Sequence, residues 1–322
     1  MPTKSGGSAG IQPINDRLDS ALLRIAGIVL LDAVAALLDT TVRGVAAGGA
    51  FILDTQLQRS YGDRRPAKMI EDTVDGTPWT VELPEGASSR DESFVLVRDG
   101  HRELIHLHDY ARIYAVPGLY ERVVQDLLQC RSPTVAVDGA VAATAELGRA
   151  MATLRVLDLG AGVGLVGELL RAAGVSAVVG LDNLAEARDA CMRDRPGVYE
   201  DYLVADLEVA APAVIDQLAE GQFEVLACVG ALGGGHVPPG ALIRALNALT
   251  GEALLVMTVH ERWLDPDSVD PFSFAFRAMT AGGYLELLQA SSFTHRLDMS
   301  GDPITFRLLI GRRTAPVPVD LI

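Results

Sequence analysis

A doubly wound α/β fold, with a seven-stranded, mostly parallel sheet that finishes in an antiparallel hairpin, is predicted for residues 116–322, preceded by an N-terminal α+β region. Three observations predict it. From residue 154 onward short apolar runs alternate one for one with helical patterns, the first run enters a glycine-rich turn, and the last two runs are separated only by Met299 to Pro303. Apolar strands divided by single helices form a parallel sheet covered on both faces, whereas a short turn can only join antiparallel neighbours.

Taken in order, residues 1–14 are Gly/Ser-rich at the outset, carry one lysine and adjoin no apolar stretch, so they read as a disordered leader and not as a signal or transit peptide. Residues 16–38 carry apolar positions at helical spacing round much of the circumference, and a homodimer through this region is one way to cover such a helix. Arg24 and Asp32 interrupt it, and the run Ile25–Leu31 is far short of the roughly 20 residues a membrane span needs. Residues 79–83 and 94–97 have strand composition, and Asp99-Gly100 leads into 104–107 as a hairpin turn does. Residues 15–115 are therefore expected to form a substrate, lid or oligomerisation region, with a helical pattern resuming over 121–130. Strands are then expected at 154–159, 176–181, 202–205, 223–229, 252–258, 284–292 and 304–312, and helices at 164–173, 184–193, 211–219, 239–248 and 270–281.

Composition narrows the function. The chain is 49% hydrophobic and 21% charged with a mean hydropathy of +0.25, which describes a packed globular protein. A net charge of −15 without Lys/Arg runs works against nucleic acid and polyanionic substrates, because phosphate neutralisation needs clustered cations. The 3 cysteines, Cys130, Cys191 and Cys228, are widely spaced and outside any CxxC or Cys/His pattern, as suits a reduced cytoplasm.

The chemistry is carried by Val156-Leu-Asp158-Leu-Gly160-Ala161-Gly162-Val-Gly164-Leu165-Val-Gly167. Glycines at a strand's carboxyl end let the backbone turn tightly and approach a ligand, where doubly wound (Rossmann-like) sheets bind nucleotides. Gly162-x-Gly164-x-x-Gly167 also matches the dinucleotide fingerprint, but in that register the first glycine is Gly160 and the third falls on Leu165. Asp158 would moreover repel a pyrophosphate while suiting a sulfonium cofactor that bears an ammonium group. Asp182 ends the second strand, 22 positions beyond Gly160, where two oxygens can accept both ribose hydroxyls, and Asp206 ends the third, where an adenine amino group can be met. Each acid alone could simply end a strand or cap a helix. Three together favour S-adenosylmethionine (SAM).

On these motifs residues 120–312 resemble the class I SAM-dependent methyltransferases in glycine motif, ribose acid and reversed final hairpin. More narrowly, Gly197-Val-Tyr-Glu-Asp-Tyr-Leu-Val-Ala-Asp206 and Val229-Gly-Ala-Leu-Gly-Gly-Gly-His236-Val-Pro-Pro-Gly240 resemble the Williams–Beuren-region methyltransferase-like group. That resemblance implies a small soluble methyltransferase without an assigned acceptor. The chain departs from that group in Asp109-Tyr110-Ala-Arg-Ile-Tyr114, where a Trp-Ala element is usual, and in residues 1–105, which have no counterpart there. The expected cofactor set is Tyr114, Asp158, Gly160, Ala161, Gly162, Asp182, Asn183, Asp206, Leu207 and Val229.

Methyl transfer is an in-line displacement, so the protein mainly aligns the partners, excludes water and removes a proton where the acceptor is not already nucleophilic. His236 after the fourth strand is the first candidate base, with His260 and Glu261 after the fifth and Tyr110 on a lid as further candidates. His106-x-His108-Asp109 alternates as a metal site could, but no third or fourth ligand follows, so no metal is expected. The reading is a methyltransferase acting on a small-molecule acceptor, with a high Ala, Val, Gly and Arg content that hints at a GC-rich genome and secondary metabolism. An NAD-dependent oxidoreductase and a non-catalytic SAM-binding module remain as alternatives.

Overall fold

The computed structural model describes residues 69–74, 77–84, 92–233 and 236–321. The expected leader over 1–14 and helix over 16–38, with the dimer contact drawn from it, lie outside the described residues. Among those described, no helix is long and apolar enough to cross a membrane.

Four strands, β1 (Met69–Val74), β2 (Thr77–Glu82), β3 (Ser93–Arg98) and β4 (His101–His106), form an antiparallel meander in chain order. β1 had no clear signal, because Met-Ile-Glu-Asp-Thr-Val does not alternate. β3 and β4 join through Asp99 and Gly100, both at positive φ (52° and 74°), the two-residue hairpin that this dipeptide favours. One face of the meander buries Trp79, Val81, Phe94, Leu96 and Ile105. These meet Ile113, Leu119, Val123 and Leu128 from the segment that follows, so a single apolar cluster runs across residue 115.

That segment holds the short helix α1 (Tyr110–Tyr114) and a π-helical stretch, Glu121–Leu127, with Leu128 N–H donating to the Val123 carbonyl. Helix α2 (Ser132–Glu146) follows and was not anticipated. It packs through Ala136, Ala140 and Ala143, and a Cβ on Gly139 would come within 2.5 Å of Leu308. Small residues on a closely packed face give little hydrophobic periodicity, which is why the helix escaped.

The α/β body then runs β5 (Arg155–Leu159), α3 (Leu165–Ala172), β6 (Ala177–Asp182), α4 (Ala185–Asp194), β7 (Asp201–Val204), α5 (Pro212–Glu220), β8 (Val225–Cys228), α6 (Pro239–Ala248), β9 (Leu254–His260), α7 (Pro271–Ala281), β10 (Leu285–Leu297) and β11 (Pro303–Arg313). The sheet order is β10-β11-β9-β8-β5-β6-β7, parallel throughout except β11, which is antiparallel to both neighbours. The predicted seven-stranded, doubly wound α/β fold with a reversed final hairpin is therefore the observed one, and β11 lies inside the edge where the sequence left its position open.

Alternation along each strand sends neighbouring side chains to opposite layers. Val156, Val178 and Val256 pack under α2 and α3, while Leu157, Leu226 and Leu255 pack under α5, α6 and α7. From β5 the chain winds outward to β6 and β7, then returns to place β8 on the other side. The carboxyl ends of β5 and β8 thus flank a switch point, where such sheets leave a crevice.

Candidate functional site

A cleft of about 290 Å³ opens at that switch point. It lies at the lower end of the size range of small-molecule sites. Its floor is the turn after β5, where Gly160, Gly162 and Gly164 take φ values of 73°, 53° and 90°, a region that side chains rarely adopt. A Cβ on Gly160 would sit 2.7 Å from Ala231, and one on Gly162 3.0 Å from the Tyr114 hydroxyl. The turn is held from below: Gly160 and Ala161 N–H donate to the Leu181 carbonyl, and Gly162 N–H donates to Asp182 Oδ2 at 3.0 Å.

Asp182, at the tip of β6, also accepts from Leu184 N–H at 3.0 Å through Oδ1. Burial pushes its carboxyl up, and the backbone N–H groups of Gly162, Leu184 and Asn183 pull against that shift. Each oxygen keeps a lone pair for a further donor. Asp206, just past β7, is exposed on the cleft wall and accepts Glu208 N–H at 2.9 Å. Asn183, Leu207, Val229, Tyr110, Tyr114 and His236 also line the cleft. No Lys or Arg stands among the described lining residues.

Two predicted residues stand apart from the wall. Asp158 is only 1% exposed, beneath the turn, where its Oδ2 accepts from Tyr199 Oη at 2.6 Å and its Oδ1 has no partner among the described residues. Burial lifts its carboxyl to about 7 against the Tyr199 hydrogen bond, with the Asp182 charge adding to the lift. His260 ends β9 with its ring between Trp263 and Phe306 and its Nδ1 accepting Arg262 N–H at 3.1 Å, so it is not brought to the cleft. Glu261 beside it pairs with Arg307. Burial and nearby His108 both lower His236, which favours a neutral imidazole.

Sequence reasoning passed over Tyr199 and Tyr202. The Tyr202 hydroxyl donates to the Gly162 carbonyl at 2.7 Å, and the Tyr199 ring fills the space that Gly167 leaves, since a Cβ there would come within 2.5 Å of it. Gly167, third in the apparent dinucleotide fingerprint, thus admits a tyrosine to the floor. It also passed over Glu92. His108 Nε2 meets Glu92 Oε2 at 2.9 Å, His108 Nδ1 meets Tyr110 Oη at 3.3 Å, and Glu92 Oε1 accepts from Arg296 at 2.6 Å. Burial would raise Glu92, but the hydrogen bond from His108 and the Arg296 charge outweigh it and hold the carboxyl at about 2. His106 instead pairs with Ser93 Oγ at 2.7 Å, so the two histidines of the alternating motif have separate partners.

No family model matches the chain, and no curated protein matches it. Among solved structures it is similar to the magnesium protoporphyrin IX methyltransferase of Synechocystis PCC 6803 with bound SAM (18% identity over 55% of this chain and 78% of that one, TM-score 0.39). It is also similar to the O-methyltransferase of Bacillus cereus in complex with SAH (15%, 63% and 89%, 0.40). A third is an S-adenosylmethionine dependent methyltransferase of Mesorhizobium loti (18%, 55% and 100%, 0.38). Likeness at this level leaves the chemistry to be read from this chain's own residues.

Proposed function

We propose that this protein is a SAM-dependent methyltransferase that transfers a methyl group to a small-molecule acceptor. The observation that carries the reading is the pair of carboxylates at neighbouring strand tips, Asp182 and Asp206, beside a glycine turn whose φ values side chains rarely adopt. Asp182 retains lone pairs for two vicinal hydroxyls, and Asp206 with the adjoining Leu207 N–H presents an acceptor and a donor to a heteroaromatic edge. The Gly162 N–H, which a pyrophosphate would require, is committed to Asp182, and the acid-lined wall would repel phosphates. The orphaned Oδ1 of Asp158 places unsatisfied negative potential beneath the floor, which a cationic ligand relieves. These features fit SAM better than NAD.

When bound, SAM supplies an electrophilic methyl group on a sulfonium. The chain's part is to fix the nucleoside through Asp182 and Asp206, to hold the floor rigid through Tyr199 and Tyr202, and to keep water out with Tyr110 and Tyr114. The described residues of the 15–115 region, through Tyr110 and Tyr114 on the cleft, are proposed to shape the acceptor side. Segments 197–206 and 229–240, which resemble the Williams–Beuren-region group, both reach this cleft, the first through Asp206 and the second through Val229 and His236, and that likeness supports a kinship with the group. The cleft volume and the acidic balance both support a small-molecule acceptor over nucleic acid.

Calorimetric titration with SAM, its demethylated product and NAD tests the cofactor. Micromolar binding of the first two without NAD is expected, and binding of NAD alone would overturn the reading. Incubation with methyl-labelled SAM and cell extract then separates an enzyme from a SAM-binding module, which would label nothing.

A further inference from the structure

The rim of the cleft holds a chain of hydrogen bonds that binding of a cofactor does not require. Glu92 lies just before β3, His108 just after β4, and Tyr110 opens α1, so the meander brings all three to one edge. The direction of the bonds follows from the chemistry. An ionised carboxylate only accepts, so the hydrogen on His108 must sit on Nε2 and donate to Glu92. With the ring in its Nε2–H form, Nδ1 is left as an acceptor, and the Tyr110 hydroxyl 3.3 Å away is placed to donate to it. Arg296, buried and bonded to the other Glu92 oxygen, holds the carboxylate in place. A carboxylate that orients an imidazole, which in turn receives a proton from a hydroxyl, is the logic by which enzymes activate hydroxyl groups. Here the terminal hydroxyl is a phenol on the cleft wall.

The surroundings bear on the acceptor. Tyr110 stacks on Tyr114 with centroids 5.7 Å apart, His236 lies 5.7 Å from Tyr110 and 5.1 Å from His108, and Tyr120 closes the group 5.4 Å from Tyr114. An aromatic wall of this kind suits a flat ring. A proton relay is needed only by an acceptor that is not nucleophilic as it stands, which leaves out thiolates and neutral amines.

Resting on the methyltransferase reading above, we propose that Glu92, His108 and Tyr110 form a proton relay that deprotonates the hydroxyl of an aromatic acceptor during methyl transfer, so that the substrate class is a weakly acidic phenol. As the acceptor oxygen bonds to the methyl carbon, its proton passes to Tyr110 Oη and the Tyr110 proton passes to His108 Nδ1. The pair of the broken carbon–sulfur bond stays with sulfur. The positive charge that leaves sulfur reappears on the imidazole beside Glu92, and the proton is lost to solvent after product departs, His108 being exposed.

Two measurements test it. In the protein without ligands, nitrogen NMR of the His108 ring above neutral pH should show the Nε2–H form, with that bias lost in Glu92→Gln; an Nδ1–H form overturns the relay. With SAM present, 4-methylphenol and 4-nitrophenol serve as probes at pH 8, where only the second is already ionised. Tyr110→Phe, which keeps the stacked ring, should lower kcat/KM for 4-methylphenol by about 100-fold or more and for 4-nitrophenol by less than about fivefold. Equal losses on both would reduce Tyr110 to packing and overturn the relay. SAM binding with neither phenol methylated by the parent protein overturns the phenol assignment alone, whereas failure to bind SAM overturns the reading of the cleft and the relay's role with it.

Discussion

Asp158 under the floor and Glu92 at the rim are both carboxylates withdrawn from water, yet burial ends in opposite results. Asp158 has one neutral donor, Tyr199, and an oxygen with no partner, and its carboxyl rises to about 7. Glu92 has an imidazole on one oxygen and a guanidinium on the other, and its carboxyl falls to about 2. Desolvation acts on both; the number and charge of the partners decide the sign. The rim is complete in the protein alone, while the floor is electrostatically unfinished and suits a ligand of positive charge.

The contrast can be broken most directly at Asp158. Its folded-state value lies above the unfolded one, so its contribution is full below about pH 4 and is lost as pH rises towards 7, a decline of up to about 4 kcal/mol. Asp158→Asn should remove that decline and unfold at higher denaturant concentration than the parent above pH 7; coincident curves would refute the strained floor. At the rim the sign reverses, because a depressed value gives stability that is present above about pH 4.5 and lost as pH falls towards 2. Glu92→Gln should be less stable than the parent at neutral pH by about 3 kcal/mol, with the gap closing in acid. Chemical denaturation across pH 2 to 8 reads both windows.

Ligand binding sharpens the comparison further. Asp182→Ala should weaken SAM by about 100-fold in calorimetry, since both oxygens are proposed to serve the ribose and one also braces the turn. A folded variant that binds within about threefold of the parent would remove the main support for the cofactor. Asp206→Ala, whose carboxylate is exposed, should cost about tenfold.

The acids near the strand ends were legible in the sequence, whereas of the rim only Tyr110 was singled out, for a physical reason. Asp158 stands one residue before the end of an apolar run, Asp182 ends one and Asp206 follows one, and parallel winding then brings the ends of adjacent strands together. Glu92 and Arg296 are 204 residues apart, and no periodicity announces a bond between a residue ahead of one hairpin and the penultimate residue of a distant strand. His108 was visible only as half of a motif resembling a metal site. Helix α2 was lost because Ala136, Gly139 and Ala140 pack by closeness rather than by bulk. Tyr199 could have been suspected from Gly167 and Gly180, since two glycines facing one point leave room that some ring must occupy.

The position of β11 constrains how the molecule is made. β9 has no partner on its outer side until residues 303–313 arrive, and β10, although earlier in the chain, pairs only with β11. A ribosome that has released everything up to β10 therefore presents an unpaired, apolar strand edge, the kind that recruits other chains. The last residue of β11, Arg313, then seals the layer by donating to the carbonyls of Leu246, Asn247, Leu249 and Gly251 at the end of α6. Assembly of this sheet must wait until residues 303–313 have been synthesised, and their loss would leave β9 without its outer partner.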